Sequence, residues 1–235
     1  MKQWETLVAA CEKLGIKVDI IDQVKGLPDM VFTTNEGIVY EPNKVLLSRF
    51  RYKERQGETP LFEKWFKENG FEITYLPEEL YLEGNGTMFF WNDKIFVGVG
   101  YRTDKQAVRY LQKLFPKHEV IDLYATAPAF YHLNLSFFPL NDETIFYYPE
   151  AFKPEGREIL KKIVPNLIPI NEREMKNFCA NSIVSGDTVI HQKDSPSFTN
   201  RLNELGYKSV EVDLSEFKKS GGGIQCLINV LERGE

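Results

Sequence analysis

A strand, strand, helix, strand order recurs along the 235 residues at nearly constant spacing, which confines the chain to folds where like modules pack side by side. The first copy follows Pro28-Asp29. There MVFTTN and KVLLS read as a strand pair around the turn GIVYEPN, TPLFEKWFKENG as a helix and FEITYL as a closing strand. The order returns from Glu83 (GTMFFW, KIFVGVG, TDKQAVRYLQKLF, EVIDLY) and from His132 (LNLSFF, TIFYY, PEGREILKKIV, NLIPI). A fourth copy runs from Phe178 (ANSIVSG, TVIHQ, SPSFTNRLNELG, SVEVDL), where Ser195-Pro196 suits an N-cap and first turn. The fifth is divided between the ends: QCLINVL supplies a first strand, WETLVAACEKLG a helix and IKVDII a closing strand. The two ends are therefore expected to meet in space.

Asn35, Glu83, His132, Asn181 and Cys226 fall at matching places in the first strand of each module, at intervals of 48, 49, 49 and 45 residues. Equivalent strands of a closed ring converge such side chains on its axis, so a central site built from sequence-distant groups is expected. A chain of this length with 43% hydrophobic residues can bury one large core, and residues 1–235 read as a single domain.

Composition removes several function classes. The net charge is -5 with both signs interspersed, which disfavours nucleic acid as a partner. MKQWETLVAACEKLG alternates apolar and charged residues at helical spacing and lacks the apolar core of a signal peptide or membrane span, so a cytoplasmic protein without membrane contact is expected. Three widely spaced cysteines, Cys11, Cys179 and Cys226, argue against a disulfide framework or a CxxC metal knuckle. The three histidines, His118, His132 and His191, show no HxxxH or HxH spacing, so neither a metal site nor a cofactor is expected.

The sharpest local signal is SGGGIQC, a glycine triplet directly ahead of Cys226. Glycine forfeits packing and conformational entropy, so three in a row point to backbone that approaches something closely or adopts positive φ. His132 sits in the apolar stretch FYHLNLSFFP, which would lower its basicity unless a carboxylate partners it. Glu83, in YLEGNGTMFF, is such a carboxylate. Together the three have complementary roles: Glu83 orients the imidazole, His132 moves protons, and Cys226 is a soft nucleophile for a delocalised sp² carbon.

The stretches LPDMVFTTN, SRFRYKERQGE, LEGNG, GYRTD, FYHLNLSFFPL and SGGGIQCL, from Leu27 to Leu227, together resemble the dimethylarginine dimethylaminohydrolase, arginine deiminase and amidinotransferase family. The resemblance implies an α/β pentein fold, a five-bladed α/β propeller with one blade closed by both termini. It also implies hydrolysis of a guanidino C–N bond through a covalent thioether on Cys226, with an arginine-type small molecule as partner. Amidino transfer by the same trio, or a non-catalytic pentein binding protein, are the alternatives. Matching positions for the guanidinium clamp are Asp29 and Asn35, with Asn134 beside them, and those for a substrate carboxylate are Arg55 and Arg102. Many relatives have HLD where this chain has His132-Leu133-Asn134, and a carboxylate where it has Asn35, so two negative charges are missing from the expected clamp. LEGNGT likewise replaces an EGEGD-like run, keeping Glu83 but not the later acids. Relatives carry a strand and mobile lid before the helix near Trp4. Here the split module is expected to lack that strand, leaving the channel open or filled by a second subunit of a homodimer.

Overall fold

A computed structural model describes residues 1–232. Among these residues the strands form four three-stranded sheets, each with its strands in sequence order. They are β1 (Gly37–Glu41), β2 (Lys44–Leu47) and β3 (Glu72–Thr74); β4 (Met88–Trp91), β5 (Lys94–Val99) and β6 (Glu119–Tyr124); β7 (Phe137–Pro139), β8 (Thr144–Tyr147) and β9 (Asn166–Pro169); and β10 (Ile183–Ser185), β11 (Thr188–Gln192) and β12 (Lys208–Val212). In every sheet the first strand runs antiparallel to the second and the third parallel to it.

The parallel step needs a crossover, and helices Thr59–Glu68, Lys105–Leu114, Pro154–Ile163 and Pro196–Glu204 supply it. A middle strand paired on both edges is also covered on both faces, which is why KVLL, KIFVGV, TIFY and TVIHQ read as nearly unbroken apolar runs. Phe96 meets Phe137 edge-on at 5.0 Å between centroids, and Phe146 meets Phe198 in the same way at 5.0 Å, so aromatic packing joins neighbouring modules into one core.

The first strands begin later than the sequence pattern suggests. Thr33–Asn35, read as strand, is a turn of 3₁₀ helix, and GIVYE, read as turn, is β1. In the next two modules Gly84–Thr87 and Leu133–Leu135 are likewise helical turns ahead of β4 and β7. β-branched and apolar letters are compatible with either state, and tertiary packing decides. Ser195 does stand at the N-cap before Pro196. Its hydroxyl makes no cap bond, accepting instead from Asn177 Nδ2 at 2.5 Å and Cys179 Sγ at 3.1 Å.

The fifth module departs furthest from expectation. Gln225–Leu227 is a 3₁₀ turn, Ile228 onward joins no ladder among the described residues, and IKVDII is irregular. The ends nevertheless meet. Helix Lys2–Lys13 buries Leu7, Ala10 and Cys11 in one cluster with Val212, Leu214 and Ile224, and Gln3 Nε2 donates to Ser215 Oγ at 2.9 Å. The turn at 33–35 packs on the turns at 84–87 and 225–227, the turn at 84–87 packs on 133–135, and Gln225 N–H donates to the Asn181 carbonyl at 3.2 Å. With Asn181 Nδ2 donating to the Asn134 carbonyl at 3.1 Å, the four turns and the bend at Asn181 close a circuit. Among the described residues no helix is long and apolar enough to cross a membrane.

Candidate functional site

Each of the five matched residues sits in or beside its module's turn, facing the others rather than the sheet behind it. Asn35, Glu83, His132, Asn181 and Cys226 are all buried, none more than 3% exposed. Glu83 and His132 stand at the N-caps of their turns, where backbone leaves the helical region and the side chain is free to point away from the strand that follows. They meet directly: His132 Nε2 donates to Glu83 Oε2 at 2.7 Å. Burial would raise the Glu83 carboxyl, but the His132 hydrogen bond and the charge of Arg102 outweigh it and hold the group below its usual range. Burial lowers the basicity of His132, with Glu83 restoring part of it. With Nε2–H committed to a carboxylate, the neutral ring carries its lone pair on Nδ1.

Arg102 Nη1 also donates to Glu83 Oε2, at 2.9 Å, and its guanidinium lies 4.7 Å from the Tyr52 ring centroid and 4.9 Å from that of Tyr131. A planar cation between two rings is well held, and Arg102 covers the Glu83-His132 pair from the solvent side with a fifth of its side chain exposed.

Cys226 is held by amides. Asn181 Nδ2 donates to Sγ at 3.2 Å, Asn134 Nδ2 lies 3.8 Å from Sγ, and the Cys226 N–H donates to Asn181 Oδ1 at 3.2 Å. Burial raises the thiol, while the Gly223 N–H, Asn181 and Asn134 each act in the opposite direction, leaving it above its ordinary value. The glycine triplet has three separate reasons. Gly221 has φ of 88° and its carbonyl accepts from Tyr131 Oη at 2.7 Å; a β-carbon on Gly222 would collide with the Phe32 ring; one on Gly223 would stand 2.9 Å from Asn181 Oδ1.

Of the residues expected in the clamp, Asn35 and Asn134 lie at this centre. Arg55 lies behind it: its guanidinium donates to Asn35 Oδ1 at 2.8 Å and Glu58 Oε2 at 2.6 Å and pairs with Glu36 at 3.3 Å, and only 5% of the residue is exposed. Its donors are thus committed to protein oxygens, and Arg102 is the arginine nearer solvent. Asp29 is half-buried at the margin and offers its backbone carbonyl to Arg55 at 3.0 Å. Arg55 takes the Asn35 oxygen, so the amide nitrogen turns inward, where it is buried without a partner, as are Glu83 Oε1, Asn134 Oδ1 and Thr34 Oγ1. Unsatisfied buried polar atoms are costly unless something else meets them. Both acceptors and donors are present, as a planar guanidino group and an attacking water require.

Asn181 was visible as the fourth matched position without an assigned role, and Tyr131 carried no sequence signal beyond its place before His132. Among the described residues no group of three or more His, Cys, Asp or Glu is placed to hold a metal ion.

Comparison with known proteins gives a consistent neighbourhood. The family described as "N,N dimethylarginine dimethylhydrolase, eukaryotic" matches residues 1–233. The bifunctional arginine dihydrolase/ornithine cyclodeaminase ArgZ of Synechocystis is 37% identical over 97% of this chain, which spans 32% of that protein's length. The N(G),N(G)-dimethylarginine dimethylaminohydrolase of Mycobacterium tuberculosis is 33% identical over 95% of this chain and 73% of its own. In structure, the N-terminal domain of an ArgZ variant covalently bound to a reaction intermediate superimposes with a TM-score of 0.94 at 35% identity, covering 98% of this chain and 85% of that one.

Proposed function

The chain belongs to the N,N-dimethylarginine dimethylhydrolase family of the pentein superfamily, and from that premise we propose that it hydrolyses a guanidino or amidino C–N bond of arginine or an arginine derivative. The observation that carries this reading is the 2.7 Å Glu83-His132 pair enclosed in the same circuit of turns as the amide-held Cys226. We read the four sheets and the closing turn as a five-bladed propeller, with the fifth blade reduced to its axial turn and the helix Lys2–Lys13.

In this reading the thiol and imidazole are both neutral at rest, because burial disfavours either charge. A guanidinium entering beside Glu83 brings the positive charge that makes the thiolate accessible. The thiol proton passes to Nδ1 of His132 as Sγ attacks the central carbon, His132 then delivers that proton from Nδ1 to the departing nitrogen as its C–N bond breaks, and an amidino thioether remains on Cys226. Water then attacks the same carbon, with His132 taking its proton and Glu83 stabilising the imidazolium; the adduct collapses with cleavage of the C–S bond, and His132 returns the proton to Sγ so that the neutral thiol is restored. Glu83 Oε1 and Asn134 Oδ1 are the acceptors available to substrate N–H groups, and Arg102 the donor available to a substrate carboxylate.

The test is to incubate the protein with arginine, methylated arginines and agmatine and to assay released ammonia, amine or urea. Release that disappears in Cys226→Ser supports hydrolysis. Transfer to an added amine without release of product in water points to the amidinotransferase reaction, and no turnover of any guanidino compound overturns both.

A further inference from the structure

Beyond the trio, we infer that Asn181 is the positioning residue of the nucleophile: its side-chain amide grips Cys226 at two points, the sulfur and the backbone N–H, and thereby sets both the aim of Sγ and the ease with which it becomes a thiolate. This rests on Cys226 being the nucleophile and adds a residue that acts through it.

The geometry leaves the amide no freedom. Asn181 is fully buried, Oδ1 accepts from the Cys226 N–H at 3.2 Å, and Nδ2 divides its two hydrogens between Sγ at 3.2 Å and the Asn134 carbonyl at 3.1 Å. Since Oδ1 must face an N–H and Nδ2 a carbonyl, a flipped amide would lose both bonds, so a donor is obliged to point at the sulfur. The backbone is tied as well, because the Asn181 carbonyl accepts from Gln225 N–H at 3.2 Å. Gly223 lies against the same amide, and a β-carbon there would stand 2.9 Å from Oδ1, so the third glycine of the triplet is the space that the clamp needs.

The chemistry of the clamp is matched to a charged reaction partner. The hydrogen-bond partners of Sγ are amides, not ions. Neutral donors stabilise a thiolate without placing a fixed cation where a guanidinium has to dock, whereas a carboxylate at position 181 would repel the thiolate and a cation would repel the substrate. Asn181 also joins two turns: it is bonded to the module that carries His132 through Asn134 and to the module that carries Cys226, so acid/base group and nucleophile are indexed to one amide.

The experiment is the pH dependence of Cys226 alkylation by 2-chloroacetamidine, followed by mass spectrometry, in the intact protein and in Asn181→Asp, Asn181→Ala and Gly223→Ala. Asn181→Asp keeps the acceptor for the Cys226 N–H and removes the donor. The expected result is a Cys226 alkylation midpoint raised by about one pH unit or more in both Asn181 variants, with at least about a tenfold slower reaction at pH 8, and kcat lowered far more than KM is changed. Gly223→Ala, which presses on the amide from outside, shifts the midpoint in the same direction by less and gives the reading if the Asn181 variants fail to fold. A purely structural role would lower thermal stability and leave the midpoint in place; that outcome overturns the inference. Wild-type protein in which Cys226 reacts no faster than Cys11 or Cys179 overturns the nucleophile itself and the clamp with it.

Discussion

Gly86 and Asn35 share one volume: a β-carbon on Gly86 would collide with the Asn35 amide nitrogen and would stand 3.2 Å from His132 Nδ1. The second glycine of LEGNG is therefore a condition for bringing the inward-turned amide and the reactive ring nitrogen together. Gly86→Ala is expected to lower kcat/KM by at least about a hundredfold while costing about 1–3 kcal/mol of stability. Steady-state kinetics beside a denaturation curve checks both, and an alanine variant with near-wild-type turnover would show that Asn35 and His132 do not work at this distance.

Cys226→Ser is expected to abolish turnover with the fold intact, and His132→Ala to slow the chemistry by on the order of 10²-fold or more. Glu83→Gln keeps the shape but removes the charge beside Arg102 and the imidazole, so it should lower kcat strongly and shift the pH optimum. Circular dichroism with stopped-time product assays separates loss of chemistry from loss of fold; full activity in any of these variants moves the site elsewhere.

Arg55 offers a contrast with Arg102. Its removal strands Glu58 and Glu36, of which Glu36 is already held well above the usual carboxylate range by burial and a hydrogen bond with Glu58. Arg55→Met is accordingly expected to cost about 3–5 kcal/mol of stability, the typical penalty for breaking a buried ionic cluster. Arg102→Met, on a partly exposed side chain, should instead raise KM for substrates bearing a carboxylate more than for agmatine. Urea midpoints and KM values for the two variants decide it; the reverse assignment of effects would refute the geometry.

Stability should peak between about pH 6.5 and 9. Burial depresses His132 and His191, so below about pH 6.5 the unfolded chain takes up protons that the folded chain refuses, and stability falls as pH falls. The lowered Glu83 carboxyl adds a further loss at lower pH, through its folded value, while the raised Glu36 carboxyl works in the opposite direction above the usual carboxylate value and offsets part of the loss from the two histidines. On the alkaline side burial raises Cys226 and Cys11 and pushes Cys179 and Tyr131 up to about 12, so the unfolded chain sheds protons first and stability falls above about pH 9. Calorimetric melting temperatures across pH 4–11 test this, and a flat profile on either side contradicts it.

The modular order and the matched positions were legible because both follow from covalent spacing. The middle strands, closed in on both faces, were the clearest, and KIFVGVG fell on β5 almost letter for letter. What misled was the junction ahead of each sheet, since TTN has the β-branched letters of a strand but is drawn into a turn to deliver Asn35 to the centre. QCLINVL failed for a related reason: a strand needs partners, and IKVDII joins no ladder beside it among the described residues. The roles of Arg55 and Asn181 were not readable, because which face of a side chain meets which neighbour depends on contacts between residues 20 to more than 40 positions apart.

The circuit of turns has a kinetic meaning as well. Cys226 gains Asn181 and Asn134, 45 and 92 residues away, only when the last turn docks, so loop-closure entropy is met before the thiol stands in the centre. A partly folded chain in which the final turn is undocked can hold several sheets in native form and still lack the amides around its thiol. The complete set of contacts around the thiol is therefore expected only once the circuit closes, and local opening of its last turn would remove them.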